Sequence, residues 1–368
     1  MDNIRFDEYD APPRRLSKRH KRNALKAASR THFALMVYLA LATAIVSVIA
    51  AVLMIMYSPE KAAEILNDPY VTWTMQVVVM YIIAFPVYFL LTRGLQKPLY
   101  EKRKLAPGEF TVSFFIGTAI MIFGSLISSL ISMIITLNTG SVPDSSLDSV
   151  ISGTPLWIII LVVVIIGPIF EELIFRKIML DRLSVYGDRM AIVVSAVSFG
   201  LFHGNIEQLI YATGLGLLLG YLYTRTRNIK YPIFMHMLIN FFGSVPSLLL
   251  MERYAQLEEM LEKYGESDII SPADQLMQIQ ISLDSISVTI IQYGFAIVGL
   301  VLFVVLTAMR AYKVPNGCMV KLPGFTKFRV AFMNLGYIIF LLYSIVMIAL
   351  STFPELSAKV TEALIGVM

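Results

Sequence analysis

The chain has 368 residues, of which 57% are hydrophobic and only 15% charged, and it carries a formal net charge of +4. Soluble globular domains average about 45–50% apolar and about 25% charged residues, so this composition, with a mean hydropathy of +0.71, excludes an ordinary water-soluble domain. A single cysteine, Cys318, excludes an internal disulfide framework and a cysteine-rich zinc or iron–sulfur site.

The length allows many spans of about 20 residues each. Residues 1–32 form a basic, polar arm, too long and too charged for a cleavable signal. Its RRLSKRHKR stretch reads as a cytoplasmic flank able to meet anionic headgroups, and no nucleic-acid partner is expected. Apolar runs over 33–57, 71–92 and 110–136 make residues 33–154 a set of accessory transmembrane helices. A core over 155–250 follows, with apolar runs at 155–181, 189–204, 207–224 and 231–251. The turn HGNIEQ between the middle two reads as a shallow break within the membrane as readily as an outer loop. Residues 251–285 form a polar extracytoplasmic loop in which ERYAQLEEMLEKYGESD predicts a short amphipathic helix. Residues 286–352 hold the last two spans, 286–311 and 329–352, and 353–368 form a tail.

The fold class is therefore all-α, a polytopic membrane bundle of about nine spans with a cytoplasmic N-terminus. Charge checks the count. The arm and the loops after spans two, six and eight are basic and share the inner side, whereas the loops after spans one, three and seven are acidic or neutral. Trp73 and Trp157, the two tryptophans, fall near outer span ends, as in an aromatic belt.

Chemistry concentrates in the core. The stretch GPIFEELIFRK places Glu171, Glu172 and Arg176 inside an apolar run. An ionised side chain at mid-bilayer costs about 2.5–3.5 kcal/mol, so three together require pairing or a chemical role. Glu172 and Arg176 are i,i+4 neighbours with the acid first, the favourable order. Glu171 points about 100° away and is free to face a cavity. Gly167-Pro168 predicts a kink and a freed backbone carbonyl. Further along come Phe199-x-x-x-His203 and His236-x-x-x-Asn240, each on one helix face. Of four histidines, these two fall in the apolar stretches that follow the glutamates. Gly200, Gly204, Gly214, Gly216 and Gly220 predict close helix approach.

Glu171 with His203 can bind and deprotonate water, and His236 with Asn240 can donate to an oxyanion. The same Glu171, His203 and His236 are equally a candidate set for a divalent metal such as zinc. Phe199 reads as packing, Glu172–Arg176 as a structural ion pair, and Asn240 is open to an alternative role as interhelical glue. Zinc (HExxH), aspartyl (GxGD) and rhomboid-type serine patterns are absent.

Taken in order, EExxxR, FxxxH and HxxxN over roughly 155–245 resemble the CPBP family of intramembrane endopeptidases. That family takes in CAAX prenyl endopeptidases of the Rce1 type and bacteriocin-processing or self-immunity proteins of the Abi type. The resemblance implies water activation by Glu171 and His203, oxyanion stabilisation by His236 and Asn240, and supporting roles for Glu172 and Arg176. It leaves metal dependence open, with a metal-free glutamate mechanism preferred. The expectation is a multi-pass bacterial cell-membrane endopeptidase acting on a membrane-associated or lipidated peptide. Counting residues along the spans places the site in the cytoplasmic half, with access from that side. Two rivals use the same residues: a non-enzymatic immunity or scaffold protein, and, with less support, an ion-coupled transporter, for which paired broken helices are missing.

Overall fold

A computed structural model describes residues 17–98, 100–143, 153–262, 271–311, 317–356 and 359. Eleven helices account for the architecture of the described residues: α1 (Lys18–Met56), α2 (Pro59–Asn67), α3 (Pro69–Thr92), α4 (Pro107–Thr139), α5 (Leu156–Ser184), α6 (Asp188–Phe202), α7 (Ile206–Thr226), α8 (Lys230–Leu261), α9 (Pro272–Ala308), α10 (Gly324–Phe332) and α11 (Leu335–Thr352). Polar caps set their starts. Ser58, Asp68 and Ser271 each cap a helix that opens on proline, while Asn205 and Asn334 accept from the amides of Gln208 and Tyr337.

Seven helices are long and apolar enough to cross a bilayer: α1, α3, α4, α5, α8, α9 and α11. The two others expected to span, α6 and α7, fall outside that set and form a helical hairpin in their places in sequence. With 15 residues, α6 is about 22 Å long, less than the roughly 30 Å hydrocarbon thickness. Its partner α7 is moderated by glycines and tyrosines. Such a hairpin is tolerated because protein, rather than lipid, covers it. One hairpin entering and returning leaves the sidedness of every later loop unchanged, so the charge argument for the topology survives.

The helix α5 is the axis of the bundle. Half of its most apolar window is buried, against 6–28% for the other spans. The α6–α7 hairpin and α8 pack around it. On one flank α1 pairs with α11 and also packs against α3, and on the other α4 pairs with α9. Glycines set the closest approaches, as expected in a membrane bundle. A Cβ on Gly200 would sit 2.0 Å from Thr213 Oγ1, and one on Gly216 would sit 2.8 Å from Ala196 Cα. Gly204 works differently from the expectation: with φ +66° it forms the hairpin turn.

Three further differences follow from packing. The acidic stretch after Met251 continues α8 to Leu261 instead of forming a helix of its own; residues 263–270 lie outside the described residues. The basic arm is already helical from Lys18. Trp73 faces inward, packed on Ile158 and Val162 with its indole donating to Thr154 Oγ1 at 3.1 Å, so only the exposed Trp157 fits a lipid-facing belt.

Candidate active site

The two glutamates end a six-residue α-helical segment, Gly167–Glu172, between two stretches wound as wider π-helix, Ile160–Ile166 and Leu173–Leu180. Such wide turns recur at functional sites. In the first, the Gly167 amide bonds the carbonyl of Val162, five residues back. The next amide in that register would be that of Pro168, which has none. The carbonyl of Val163 thus loses the partner that register would give it, and Asn240 Nδ2 donates to it at 2.9 Å. The freed carbonyl expected from Gly167-Pro168 is present, and a residue of the HxxxN motif satisfies it.

Glu172 and Arg176 form the expected ion pair, Oε1 to Nη1 2.9 Å, with both side chains fully buried. The guanidinium also lies 4.7 Å from the Phe199 ring centroid, and Nη2 donates to the Gly216 carbonyl at 3.4 Å. The same Glu172 oxygen lies 3.0 Å from His236 Nδ1. A carboxylate accepts, so Nδ1 carries a proton, and Nε2 is left facing Glu171 Oε2 at 3.7 Å. Glu171 itself is 20% exposed while its neighbour is sealed. The two adjacent carboxylates are therefore sorted into one braced and one open.

His203 lies at the end of α6, where its Nδ1 is 2.8 Å from the Phe199 carbonyl. A carbonyl can only accept, so this proton too is on Nδ1 and Nε2 is unprotonated in the neutral ring. Phe199 packs as expected, but at a junction: its ring meets His203 edge-on at 4.9 Å and His236 edge-on at 5.7 Å.

Glu171, His203, His236 and Asn240 all line one cavity of about 420 Å³, within the usual range for ligand sites. Glu172 and Arg176 lie behind its wall. A Cβ on Gly167 would come within 3.5 Å of the Tyr81 hydroxyl and 3.9 Å of Glu171 Oε1, so the glycine keeps space beside the carboxylate. Among the described residues no three His, Cys, Asp or Glu side chains are grouped to hold a metal ion, so the set Glu171, His203 and His236 does not fit one as arranged.

Several lining residues escape sequence reasoning. Tyr38 from α1, Gln76 and Tyr81 from α3, and Gln208 and Tyr211 from α7 add hydroxyls and amides to the cavity wall. Tyr81 is held by stacking on Phe170 at 4.5 Å. The available signal was a polar tip at mid-span, which carries no direction on its own. His32 is a further histidine, fully buried in the bundle and bonded to the Ala28 carbonyl at 2.7 Å and Ser198 Oγ at 3.0 Å. It ties α1 to α6, the helix that carries His203, and lies outside the cavity.

Residues 153–242 match the family model described as Type II CAAX prenyl endopeptidase Rce1-like. The match supports a place for this segment in the CPBP family. The matched segment covers α5, α6, α7 and the first part of α8, and it contains every residue of the three motifs. The chain is 38% identical over 108 residues to "Putative membrane peptidase YdiL" of Bacillus subtilis (strain 168), a match covering 29% of this chain and 43% of that protein. It is 26% identical over 193 residues to "Membrane-embedded CAAX protease MroQ" of Staphylococcus aureus (strain USA300), covering 50% of this chain and 77% of that one. The chain thus spans less than half of the first relative and about three quarters of the second. No solved structure matches it. Family and apolar helices together make it a multi-pass cell-membrane protein.

Proposed function

We propose that the protein is an intramembrane endopeptidase that hydrolyses a peptide bond of a membrane-associated or lipidated peptide with a water activated by Glu171 and His203. One observation carries this reading. A carboxylate with open solvent access and two imidazoles, each with Nδ1 protonated and Nε2 free, line a single cavity inside an otherwise apolar bundle. The names of the two relatives, a membrane peptidase and a CAAX protease, support it.

In the proposed reaction a water molecule held between Glu171 and His203 Nε2 gives its proton to the carboxylate, and its oxygen attacks the scissile carbonyl carbon. His236, held at Nδ1 by Glu172, turns Nε2 towards the reacting centre and donates from it to the oxyanion when that nitrogen carries a proton. Glu171 then passes its proton to the departing amide nitrogen, the C–N bond breaks, and a carboxylic acid and an amine leave. One amide proton of Asn240 serves Val163; the other is available to the oxyanion.

The test compares membranes from cells making the wild type, Glu171→Gln or His203→Ala at equal accumulation, with new peptide termini mapped by mass spectrometry. Termini that depend on the wild type and vanish in both variants are expected. Identical termini in all three would leave a binding or immunity role as the better account.

A further inference from the structure

The cavity has a direction. Along α3 its lining begins at Thr72, three residues into the helix, and stops at Tyr81. Along α5 it begins at Val162 and stops at Ile174. Along α6 nothing before Phe199 contributes, and along α7 nothing after Ala212. Basic loops place the starts of α3 and α5 and the hairpin turn towards the extracytoplasmic side, and the start of α6 and end of α7 towards the cytoplasm. On these four helices, therefore, the lining lies at mid-bundle or beyond it towards the outside.

The inner side is sealed. Below Glu171 come the fully buried Glu172, Arg176, Ile174 and Phe175, with Ser195 Oγ donating to the Phe175 carbonyl at 2.9 Å. Beneath them Tyr223 donates to Asp181 Oδ1 at 2.8 Å and Lys177 bridges to both, closing the gap between α5 and α7. The outer side is polar and uncharged. Gln76 and Gln208 face the cavity with side-chain amides that have no hydrogen-bond partner among the described residues, and Thr72 and Ser244 join them. The hairpin turn is held at Gly204 by Ser351 Oγ, one residue from the end of the 18-residue α11.

We infer that the site opens to the extracytoplasmic side, so that its substrate is a peptide segment presented in the outer half of the membrane. This deepens the proposed function and rests on it for the word substrate; the opening itself does not. It reverses the cytoplasmic access expected from counting residues. An unwound segment entering there would expose main-chain amides and carbonyls, which cannot stay unpaired in hydrocarbon. Gln76 and Gln208 supply both donors and acceptors for them, and the absence of charge along this wall selects an uncharged segment.

Thiol labelling tests the opening without requiring any cleavage. In a Cys318→Ser background, single cysteines replace Gln76, Gln208, Glu60 in the outer helix α2, or Lys102 in the inner loop. Intact spheroplasts are treated with methanethiosulfonate ethylsulfonate, which does not cross membranes. Gln76→Cys and Gln208→Cys are expected to react like Glu60→Cys and at least an order of magnitude faster than Lys102→Cys, which reacts only after lysis. Reaction of the two vestibule cysteines only after lysis, or from neither side, would overturn the inference. Loss of the proposed peptidase activity with outside labelling intact would instead fault the catalytic reading alone.

Discussion

Replacing Arg176 by Met isolates the value of the buried charge behind the cavity wall. The arginine is fully buried, 2.9 Å from Glu172, and Met keeps most of its apolar stem volume. The substitution therefore removes the cation and leaves Glu172 buried with only His236 beside it. Breaking a buried pair from one side costs about 3–5 kcal/mol, because the remaining charge is uncompensated. That is roughly a hundredfold to several thousandfold in the folding equilibrium. The double variant Glu172→Gln/Arg176→Met removes both charges, and Gln Oε1 can still accept from His236 Nδ1–H. Its cost should fall to about 1–2 kcal/mol, the range of a few weakened neutral hydrogen bonds. The two single variants and the double form a cycle whose coupling lies at or above the usual 0.5–3 kcal/mol for contacting residues. Unfolding in mixed micelles by a denaturing detergent, followed by the fluorescence of Trp73 and Trp157, measures all four proteins. A single variant as stable as the wild type, or a double variant whose loss equals the sum of the singles, would refute the assignment of this pair as a structural brace.

Asn240→Leu leaves the Val163 carbonyl unpaired, and should lower stability in the same assay by about 1–3 kcal/mol; an unchanged midpoint would mean that this carbonyl finds another partner. Gly200→Ala forces a methyl group within 2.0 Å of Thr213 Oγ1 and 2.7 Å of the Leu209 carbonyl, so it should cost about 1–3 kcal/mol, and Thr213→Ala should rescue it only in part. Treatment with a strong chelator followed by desalting should leave cleavage unchanged, whereas loss restored by zinc alone would return Glu171, His203 and His236 to the role of ligands. Burial pushes the Cys318 thiol above its usual range, with Lys327 opposing the shift. The thiolate is the reactive form, so iodoacetamide should label Cys318 slowly at neutral pH, with the rate rising at a higher pH than for a small free thiol.

Hydropathy and loop charge carried the fold class and sidedness because both are properties of whole segments, averaged over 20 residues and insensitive to local geometry. The motif residues were legible for the same reason that makes them costly: charge and imidazole in an apolar run stand out from everything around them. What did not show was anything set by packing between helices. The depth of His203 could not be counted from its helix, since a hairpin shielded by neighbours need not span the bilayer. Residue counting also assumes a uniform rise, and π-wound stretches in α3 and α5 break that assumption on both sides of Glu171. The contributions of Tyr81, Gln76 and His32 were hidden because they lie on accessory helices, and their positions depend on which face those helices turn inward. Those helices are part of the site's wall: α1 and α3 supply it with Tyr38, Gln76 and Tyr81.

The HxxxN motif shows how one spacing serves two purposes. α5 runs inward and α8 outward, so successive turns of α8 meet α5 in reverse order. His236 reaches Glu172, and Asn240, one turn further out, reaches the carbonyl of Val163. Glu171 lies between these two anchors on α5. Slippage of either helix would break one bond or the other, and each break would strand a polar group in apolar surroundings. The proline that frees the Val163 carbonyl is therefore part of the same device as the asparagine that takes it. A kink that would otherwise weaken α5 becomes the point at which α8 is locked in register, with His236 Nε2 facing the open carboxylate. On this reasoning the first part of the catalytic role proposed for Asn240 is to hold that register. A variant that lost the Val163 bond should misplace His236 and lose turnover even where the substrate still binds.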